Sequence, residues 1–232
     1  MGVLVGNVQR IFIPDMHVPY MDMNAWEEVL AFVIREHPLG ATFLGDGMDC
    51  YTVSRYDKSP GRPSLLQEAN EMKERLRQFM SYLRSTDVDY VEGNHEQRLR
   101  KYIMRHAPEL SGLEPTIPGI LGLADLGIRW VPWGVPNVVD GVWTEHGDCS
   151  GSKSGYTAHK MLTKRGVRRG VSAHTHKLAL VHINEGTQPT RQWAEAGSLC
   201  LTAPMEYTIY PDWQRGFVWL DMQGNLHTEV LS

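Results

Sequence analysis

The 232-residue sequence predicts an α/β fold, because short apolar runs alternate along it with longer segments of helical periodicity. The second half is richer in strand-like segments than the first, which predicts a second sheet packed against the first one. No internal repeat, low-complexity tract or Gly/Ser-rich linker divides the chain. We therefore expect a single domain over residues 1–232, long enough to bury a core without disulfides.

The first half is predicted to contain three strands and two long helices. The strands cover residues 10–14, 41–44 and 89–92, and the helices cover residues 25–36 and 64–84. The second helix has the clearest pattern, because its apolar side chains recur at helical spacing on one face. Asn24 is the predicted N-cap of the first helix, which Pro38 and Gly40 would end. A further helix is expected to begin after Gly93.

The second half is predicted to consist mainly of strands. They cover residues 128–131, 138–145, 171–173, 178–184, 192–196 and 217–221, and one helix over residues 156–165 interrupts them. Residues 108–125, between the two halves, are rich in proline and glycine and are predicted to form a long excursion over the surface. The sequence leaves open whether this excursion is a lid or a plain loop.

Charge and cysteine content restrict the class of protein. The formal charge is −4, from 23 Lys and Arg against 27 Asp and Glu, so any contact with nucleic acid must be local. Cys50, Cys149 and Cys200 lie far apart and form no C-x-x-C motif, which indicates reduced thiols and no structural zinc site. Residues 1–10 lack a signal-peptide pattern, and no apolar run is long enough to cross a membrane. We predict a soluble, cytoplasmic protein; the oligomeric state stays open.

Five short polar clusters follow predicted strands, at the points where the strands give way to loops. They are Asp15-x-His17, Gly45-Asp46-x-x-Asp49, Gly93-Asn94-His95-Glu96, His146-Gly147-Asp148 and His174-x-His176. Each cluster alone is weak evidence: Asp-x-His, Gly-Asp and Gly-Asn-His are more often turns, caps or loops than ligand sites, and a lone His-x-His is structural as often as not. Ligands of α/β sheets, however, bind beyond the carboxyl ends of the strands, where all five clusters are expected. Mixed carboxylate, amide and imidazole donors suit divalent ions such as Mn, Fe or Zn, and a shared carboxylate can bridge two of them.

In this order, the clusters resemble the motifs of the calcineurin-like metallophosphoesterase superfamily, over residues 15–176. The resemblance implies a fold of two packed mixed β-sheets flanked by helices. It also implies a site for two metal ions, with Asp15, His17 and His176 on the first ion, Asn94, His146 and His174 on the second, and Asp46 bridging both. In the same pattern His95 is the general acid and Asp49 pairs with it. The chain departs from the family at Ala173, where glycine is usual, and at Asp148, where many relatives have histidine. Neither departure removes a predicted ligand.

The resemblance implies that two divalent ions activate a bridging hydroxide, which hydrolyses a phosphate ester. Mn is the first choice of metal, with Fe, Zn or Ni as alternatives. We predict a nuclease-like phosphodiesterase that acts on nucleic acid or on a nucleotide. Phosphoprotein phosphatases of the superfamily have Arg-Gly after the second aspartate of Gly-Asp-x-x-Asp, whereas here Cys50 and Tyr51 follow Asp49. Two alternatives stay open: a phosphomonoesterase or phosphoprotein phosphatase, and an interaction scaffold with a degenerate site.

Basic residues near the motifs are candidate contacts for the phosphate groups of a substrate. Arg98 lies one helical turn after the predicted general acid and begins a basic run with Lys101 and Arg105. A second basic run lies within residues 160–169, before the last motif. A solvated helix face is the more common explanation of the first run. Lys153 is a further candidate, for which substrate contact and plain surface are equally good explanations.

Three tryptophans, Trp130, Trp133 and Trp143, precede the fourth motif. Residues of this type usually pack in the core or within a loop. They could also stack on a base, and the sequence leaves this choice open.

Overall fold

Two β-sheets form the centre of the molecule in the computed structural model, which describes residues 7–110, 112–113, 115–184, 186–202 and 211–232. The strands are β1 (Val8–Ile13), β2 (Gly40–Phe43), β3 (Val88–Val91), β4 (Ile128–Val131), β5 (Asn137–Val139), β6 (Val142–Glu145), β7 (Arg169–Ser172), β8 (Leu178–Ile183), β9 (Arg191–Ala196), β10 (Gly216–Asp221) and β11 (Leu226–Val230). The helices are α1 (Met23–Glu36), α2 (Leu65–Tyr82), α3 (Gln97–His106), α4 (Ile117–Leu121) and α5 (Tyr156–Arg165).

Both sheets are mixed, as the resemblance implies. The first has the strand order β11-β10-β1-β2-β3-β4, in which β1 to β4 run parallel and β10 pairs antiparallel with both of its neighbours. The second has the order β5-β6-β7-β9-β8, in which β6, β7 and β9 run parallel and each edge strand pairs antiparallel with its neighbour. Parallel strands direct their carboxyl ends to one edge of a sheet, so each sheet contributes several loops to the same edge.

The sheets pack face to face, with helices on the two outer faces. Phe12 and Val218 of the first sheet lie in one buried cluster with Val171 and Ala194 of the second. On the outer face of the first sheet, α1 and α2 bury their apolar sides in a larger cluster, and α5 packs on Trp193 of the second sheet. The order of layers is helix, sheet, sheet, helix, which confirms the predicted fold class.

Side-chain caps determine where the two long helices begin. Ser64 caps α2 in a capping box with Gln67, so the predicted start of this helix is confirmed. The predicted cap of α1, Asn24, is wrong. Asp22 caps this helix instead, because its carboxylate accepts hydrogen bonds from the backbone N–H groups of Asn24 and Ala25. Its negative charge also interacts favourably with the positive end of the helix dipole. Within the described ranges, none of the helices is both long and apolar enough to cross a bilayer.

The structure differs from the prediction in three segments. The single strand over residues 138–145 is the hairpin of β5 and β6, because Asp140 and Gly141 form a turn with φ values of 51° and 72°. The edge strand β11 was not predicted, since its central side chains are only partly buried and show no apolar run. The excursion over residues 108–125 is not entirely on the surface: Ile117 and Leu121 of α4 are buried in the cluster beneath α2. Two positions of this segment, 111 and 114, lie outside the described residues.

A buried arginine connects β1 to neighbouring loops. Arg10 is 1% exposed, and its guanidinium donates to the carbonyl oxygen of Ala41 at 2.9 Å and to Asp140 at 2.5 Å, and it also pairs with Asp87. Gly40 leaves the space for it, because a Cβ at this position would lie 2.7 Å from the guanidinium. Burying this charge is tolerated because each side of the guanidinium has an acceptor.

Candidate metal centre

The five motifs meet at the edge formed by the carboxyl ends of β1, β2, β3, β6 and β7. Side chains from both sheets therefore contact one another there, although they are up to 159 positions apart in the sequence. The structure brings together all the predicted metal ligands: Asp15, His17, Asp46, Asn94, His146, His174 and His176. It also places the predicted acid pair, His95 and Asp49, beside them.

Asp15, His17 and His176 form the first group of donor atoms. The Nε2 atoms of His17 and His176 lie 3.1 Å apart, and Asp15 Oδ1 lies 4.0 Å and 3.8 Å from them. Asp15 is fully buried, and among the described residues its Oδ1 has no hydrogen-bond partner. Its Oδ2 accepts a bond from the backbone N–H of His174. Because an unpartnered buried carboxylate oxygen is costly, these three donors fit a divalent cation.

Asn94, His146 and His174 form the second group, together with Asp46. The Nε2 atom of His146 lies 2.9 Å from Asn94 Oδ1 and 3.2 Å from Asp46 Oδ2. Its Nδ1 lies 2.9 Å from the carbonyl oxygen of Leu44, which requires a donor, so Nδ1 carries a proton. In the neutral ring, Nε2 then directs a lone pair toward two oxygens. This convergence of acceptors fits a cation bound between them.

Asp46 belongs to both groups. Its Oδ2 lies 3.2 Å from Nε2 of His146 and 3.9 Å from Nε2 of His17. The combination of Asp46 with His146 and His174, and its combination with Asp15 and His17, both offer donor atoms within 4.8 Å of one another. Its Oδ1 is held by the backbone N–H of residue 95 at 2.8 Å. This position suits the bridging role that the resemblance implies.

The buried carboxylates strongly favour positive charge at this site. Burial alone would lower the pKa of His146, but Asp46 and then Asp15 raise it to about 10. Burial would raise the pKa of Asp46, yet the imidazoles around it, His146 first, hold that pKa well below its ordinary value. Burial raises the pKa of Asp15 to about 7, against the opposing effect of His146. A bound cation would supply this positive charge and would favour the ionised carboxylates.

The last two histidines are held neutral. Burial, followed by the charge of His146, lowers the pKa of His174 to about 4. Burial, followed by the neighbouring His17, lowers the pKa of His176 well below its usual range. Neutral imidazole is the form that binds a metal, so both rings are ready to do so near neutral pH.

Backbone strain is concentrated at the candidate ligands. Seven non-glycine residues in the described part of the chain have a positive φ, and four of them are His17, Asp46, His174 and His176, at 46° to 70°. A left-handed conformation costs a residue with a Cβ about 1–2 kcal/mol, and it persists where surrounding contacts determine it. Such a concentration of strain at one site is typical of a functional site.

Both ring nitrogens of His95, the predicted general acid, have partners. Nδ1 lies 3.0 Å from Asp49 Oδ1 and 2.9 Å from the carbonyl oxygen of Asp49, and Nε2 lies 2.7 Å from Nη2 of Arg98. A guanidinium can only donate, so Nε2 accepts from Arg98 and Nδ1 carries the proton. Burial would raise the pKa of Asp49, but hydrogen bonds from His17 and His95 hold that pKa well below its usual range. The ionised Asp49 therefore orients two rings, since it also lies 3.2 Å from Nδ1 of His17.

Glu96 holds the loop that carries Asp46, a role that its place in the motif did not reveal. It is 1% exposed. Its carboxylate accepts bonds from the backbone N–H groups of Asp46 at 2.9 Å, Gly47 at 2.9 Å, Met48 at 3.3 Å and Gly93 at 3.0 Å, and from the Tyr90 hydroxyl at 2.9 Å. Burial and then Asp46 raise the pKa of Glu96, but backbone donors on both oxygens match the ionised form. The sequence could not reveal these hydrogen bonds, because their donors come from separate loops that meet only in the folded protein.

Two further buried groups were not predicted as parts of the site. Glu68 accepts bonds from the backbone N–H groups of Cys50 at 2.6 Å and Tyr51 at 3.4 Å, and so holds the turn after the predicted acid pair. The Sγ atom of Cys200 lies 3.9 Å from Nδ1 of His176. Burial raises the pKa of Cys200 to about 12, so it is a neutral thiol at this position. All three cysteines are free, which agrees with the predicted absence of disulfides.

A groove with cationic walls opens from Asn94. It has a volume of about 290 Å³ and is lined by six residues: Arg55, Tyr56, Asn94, Arg98, Lys101 and Arg105. Four of these side chains are cationic and none is acidic, so we call it the basic groove. Arg98 also donates to the carbonyl oxygen of Asp49 at 2.7 Å, which ties the groove to the acid pair. The first predicted basic run therefore lies beside the centre.

The other predicted substrate contacts have weaker structural support. In the second basic run, Lys164 lies 3.8 Å from Asp148, and Arg165 lies 2.7 Å from Glu145, so these charges are partly neutralised. Lys153 is exposed in the loop before α5, and within the described ranges no hydrogen bond or ion pair joins its side chain to the centre. Its role stays a prediction.

Comparisons with known proteins point to phage relatives. No protein-family model matches the chain. It is 24% identical to the Gene 54 protein of Mycobacterium phage D29 over 229 residues, which cover 93% of this chain and 89% of that protein. It is also 24% identical to the Gene 54 protein of Mycobacterium phage L5 over 228 residues, which cover 92% of this chain and 89% of that protein.

Among solved structures, Vacuolar Protein Sorting 29 from Cryptosporidium parvum is similar to the chain with a TM-score of 0.50 and 16% sequence identity. The alignment covers 98% of this chain and 93% of that one. A likeness at this identity concerns the fold alone. The layers and the mixed order of both sheets agree with it. The chain therefore has the fold of two packed mixed sheets flanked by helices that the resemblance implies.

Proposed function

We propose that the protein is a metal-dependent phosphodiesterase that hydrolyses a phosphodiester of nucleic acid or of a nucleotide. The observation that carries the proposal is the continuity between the candidate metal centre and the basic groove, which share Asn94. The donor groups suit the phosphoryl group that reacts, and the groove suits further phosphates of the same molecule. A monoester with a single phosphate has no such further phosphates.

The donor set supports two divalent ions. One would be held by Asp15, His17 and His176, and the other by Asn94, His146 and His174, with Asp46 shared. When bound, such ions neutralise phosphoryl oxygens and lower the pKa of water. Nitrogen and oxygen donors without a thiolate suit Mn first, with Fe, Zn and Ni as alternatives.

His95 is the residue proposed to supply a proton to the leaving oxygen. Asp49 holds the proton on Nδ1, so Nε2 is the atom that faces the centre. Arg98 donates to this Nε2 in the structure, at 2.7 Å, and must leave it before Nε2 can carry a proton. A substrate phosphate that attracts the guanidinium of Arg98 would free Nε2, so substrate binding would prepare the acid.

The basic groove supports a polyanionic substrate over a small neutral ester. Four cationic side chains line it without a neutralising carboxylate among its lining residues, although the whole chain has a charge of −4. Each phosphate that a cation neutralises releases counterions, so affinity should fall steeply with salt. Local positive charge of this kind is what an acidic protein needs in order to bind nucleic acid.

The proposal is tested with purified protein that has been stripped with a chelator. Hydrolysis of bis(p-nitrophenyl) phosphate and of p-nitrophenyl phosphate is measured with and without added Mn. We expect turnover of the diester that requires Mn and is lost in His95→Ala. His159→Ala is the matched control, because His159 is exposed on α5, away from the centre, and this variant should retain full activity.

A second arm examines the basic groove. The double variant Lys101→Ala/Arg105→Ala should cleave a single-stranded oligonucleotide less well at low salt, and should lower the salt slope of its binding by about 0.7 for each lost phosphate contact. Its turnover of bis(p-nitrophenyl) phosphate should not change. Turnover of the monoester alone would favour a phosphomonoesterase instead. Metal binding without turnover of the diester, the monoester or the oligonucleotide would favour the scaffold with a degenerate site.

A further inference from the structure

A second cavity lies beside the candidate metal centre. It has a volume of about 210 Å³ and shares His146 with the second donor group. Its other walls are residues 132–136, between β4 and β5, and the ends of β3 and β6. The basic groove begins at Asn94, whose Oδ1 lies 2.9 Å from Nε2 of His146. A phosphate held at this donor group would therefore adjoin both the basic groove and the second cavity.

Trp133 provides an aromatic wall that the core does not use. The other two tryptophans before the fourth motif are packed. Trp130 contacts the core beneath the first sheet. Trp143 also lines the cavity, but it contacts the cluster around α5 and its ring lies against Arg165. Trp133 belongs to none of the hydrophobic clusters of the described residues, and it is 36% exposed. Its ring centroid lies 6.1 Å from that of His146. The ring thus presents an apolar face to a ligand beside the metal centre.

The charge of this cavity is opposite to that of the basic groove. Its lining includes three acidic residues, Glu92, Glu145 and Asp148, and one cationic residue, Arg165. Arg165 is already paired with Glu145 at 2.7 Å, and Lys164 lies 3.8 Å from Asp148, so part of the acidic charge is offset. Such a lining disfavours a phosphate group. Carboxylates accept hydrogen bonds, however, and each nucleobase has N–H donors at its edge and a flat face for stacking.

We infer that this cavity binds a nucleobase of the substrate, stacked on Trp133 and adjacent to the phosphate that reacts. The inference rests on the proposed function, because it requires a phosphate at the metal centre. The volume agrees with one planar heterocycle, since sites for whole drug-sized ligands occupy about 300–1,000 Å³. The base and the phosphates would therefore bind on separate surfaces of opposite charge.

The test compares the binding of adenosine 5′-monophosphate with that of ribose 5-phosphate, which has the same phosphate and sugar without a base. Isothermal titration calorimetry is performed on the Mn-loaded full chain carrying His95→Ala, so that neither compound is turned over. We expect the base to improve the affinity about 5- to 150-fold, the range typical of stacking on an aromatic side chain. Adding Trp133→Ala should remove this gain and leave the binding of ribose 5-phosphate unchanged.

Two variants serve as controls. Trp133→Phe should retain most of the gain, and Tyr82→Ala should retain all of it, because Tyr82 is an exposed aromatic residue at the end of α2, outside the cavity. Equal affinity for the two compounds, or a gain that survives Trp133→Ala, would overturn the inference while leaving the diesterase proposal intact. Binding of neither compound, together with no turnover of the diester that depends on Mn, would overturn both.

Discussion

Glu96 provides a quantitative test of how the metal centre is held. Its two carboxylate oxygens accept five hydrogen bonds, four of them from backbone N–H groups of the loops that carry Asp46 and Asn94. Replacing Glu96 by glutamine keeps the size of the side chain but turns one oxygen into an N–H donor. That donor must then face backbone donors, whichever way the amide is oriented.

The hydrogen-bond geometry determines the size of the effect. Oε1 accepts from Gly47, Met48 and the Tyr90 hydroxyl, and Oε2 accepts from Asp46 and Gly93. At least two bonds to a charged acceptor are therefore lost in either orientation of the amide. At about 1.5–3 kcal/mol each, the free energy of unfolding should fall by about 3–6 kcal/mol. This is a large fraction of the ~5–15 kcal/mol that stabilises a typical domain.

The assay separates loss of stability from loss of the site. Urea unfolding of Glu96→Gln and of the wild type is measured in chelator, so that bound metal does not contribute to stability. Mn binding to the folded proteins is then measured by calorimetry. Leu76→Ala is the matched control: Leu76 is fully buried in α2, and its truncation should cost a similar ~2–5 kcal/mol. We expect weaker Mn binding in Glu96→Gln only.

Two results would refute this reasoning. Glu96→Gln could unfold within about 1 kcal/mol of the wild type, which would mean that the five bonds are not made by an ionised carboxylate. Alternatively, Glu96→Gln and Leu76→Ala could lose stability equally and bind Mn as tightly as the wild type. The loop held by Glu96 would then have no part in positioning the donors.

Two further predictions concern buried charges outside the donor groups. Arg10→Met should lower the free energy of unfolding by about 2–3 kcal/mol and should not change Mn binding. This loss is smaller than for a fully buried ion pair, because its partner Asp87 is exposed. A loss below about 1 kcal/mol in urea unfolding would contradict this prediction. Burial raises the pKa of Glu68 to about 8, so its protonated form stabilises the fold below its ordinary pKa, and this contribution is lost as the pH rises through about 8. The stability of the wild type relative to Glu68→Gln should therefore fall by about 2–4 kcal/mol between pH 5 and pH 9, and a difference independent of pH would count against the raised pKa.

Much of the fold and of the candidate site follows from local patterns in the sequence. The spacing of apolar residues predicted α2, and the capping box at Ser64 agrees with that start. The five motifs were expected at strand ends, and they are found there. The change from an apolar strand to polar residues takes place within a few positions, so it can be recognised in the sequence. Where local signals compete, prediction is less certain: Asp22 and Asn24 are both good caps, and only the first makes the bonds.

Tertiary structure decided which residues meet. The contact between His17 and His176 spans 159 positions and exists because two separate sheets turn the carboxyl ends of their strands to one edge. The five donors on Glu96 and the open face of Trp133 depend in the same way on how loops from different strands pack. The sequence by itself determined the kinds of donor and the strands that carry them, since both are local properties. The pairing of donors across the sheets, and the separation of a basic groove from an acidic aromatic cavity, arise only from packing between distant segments.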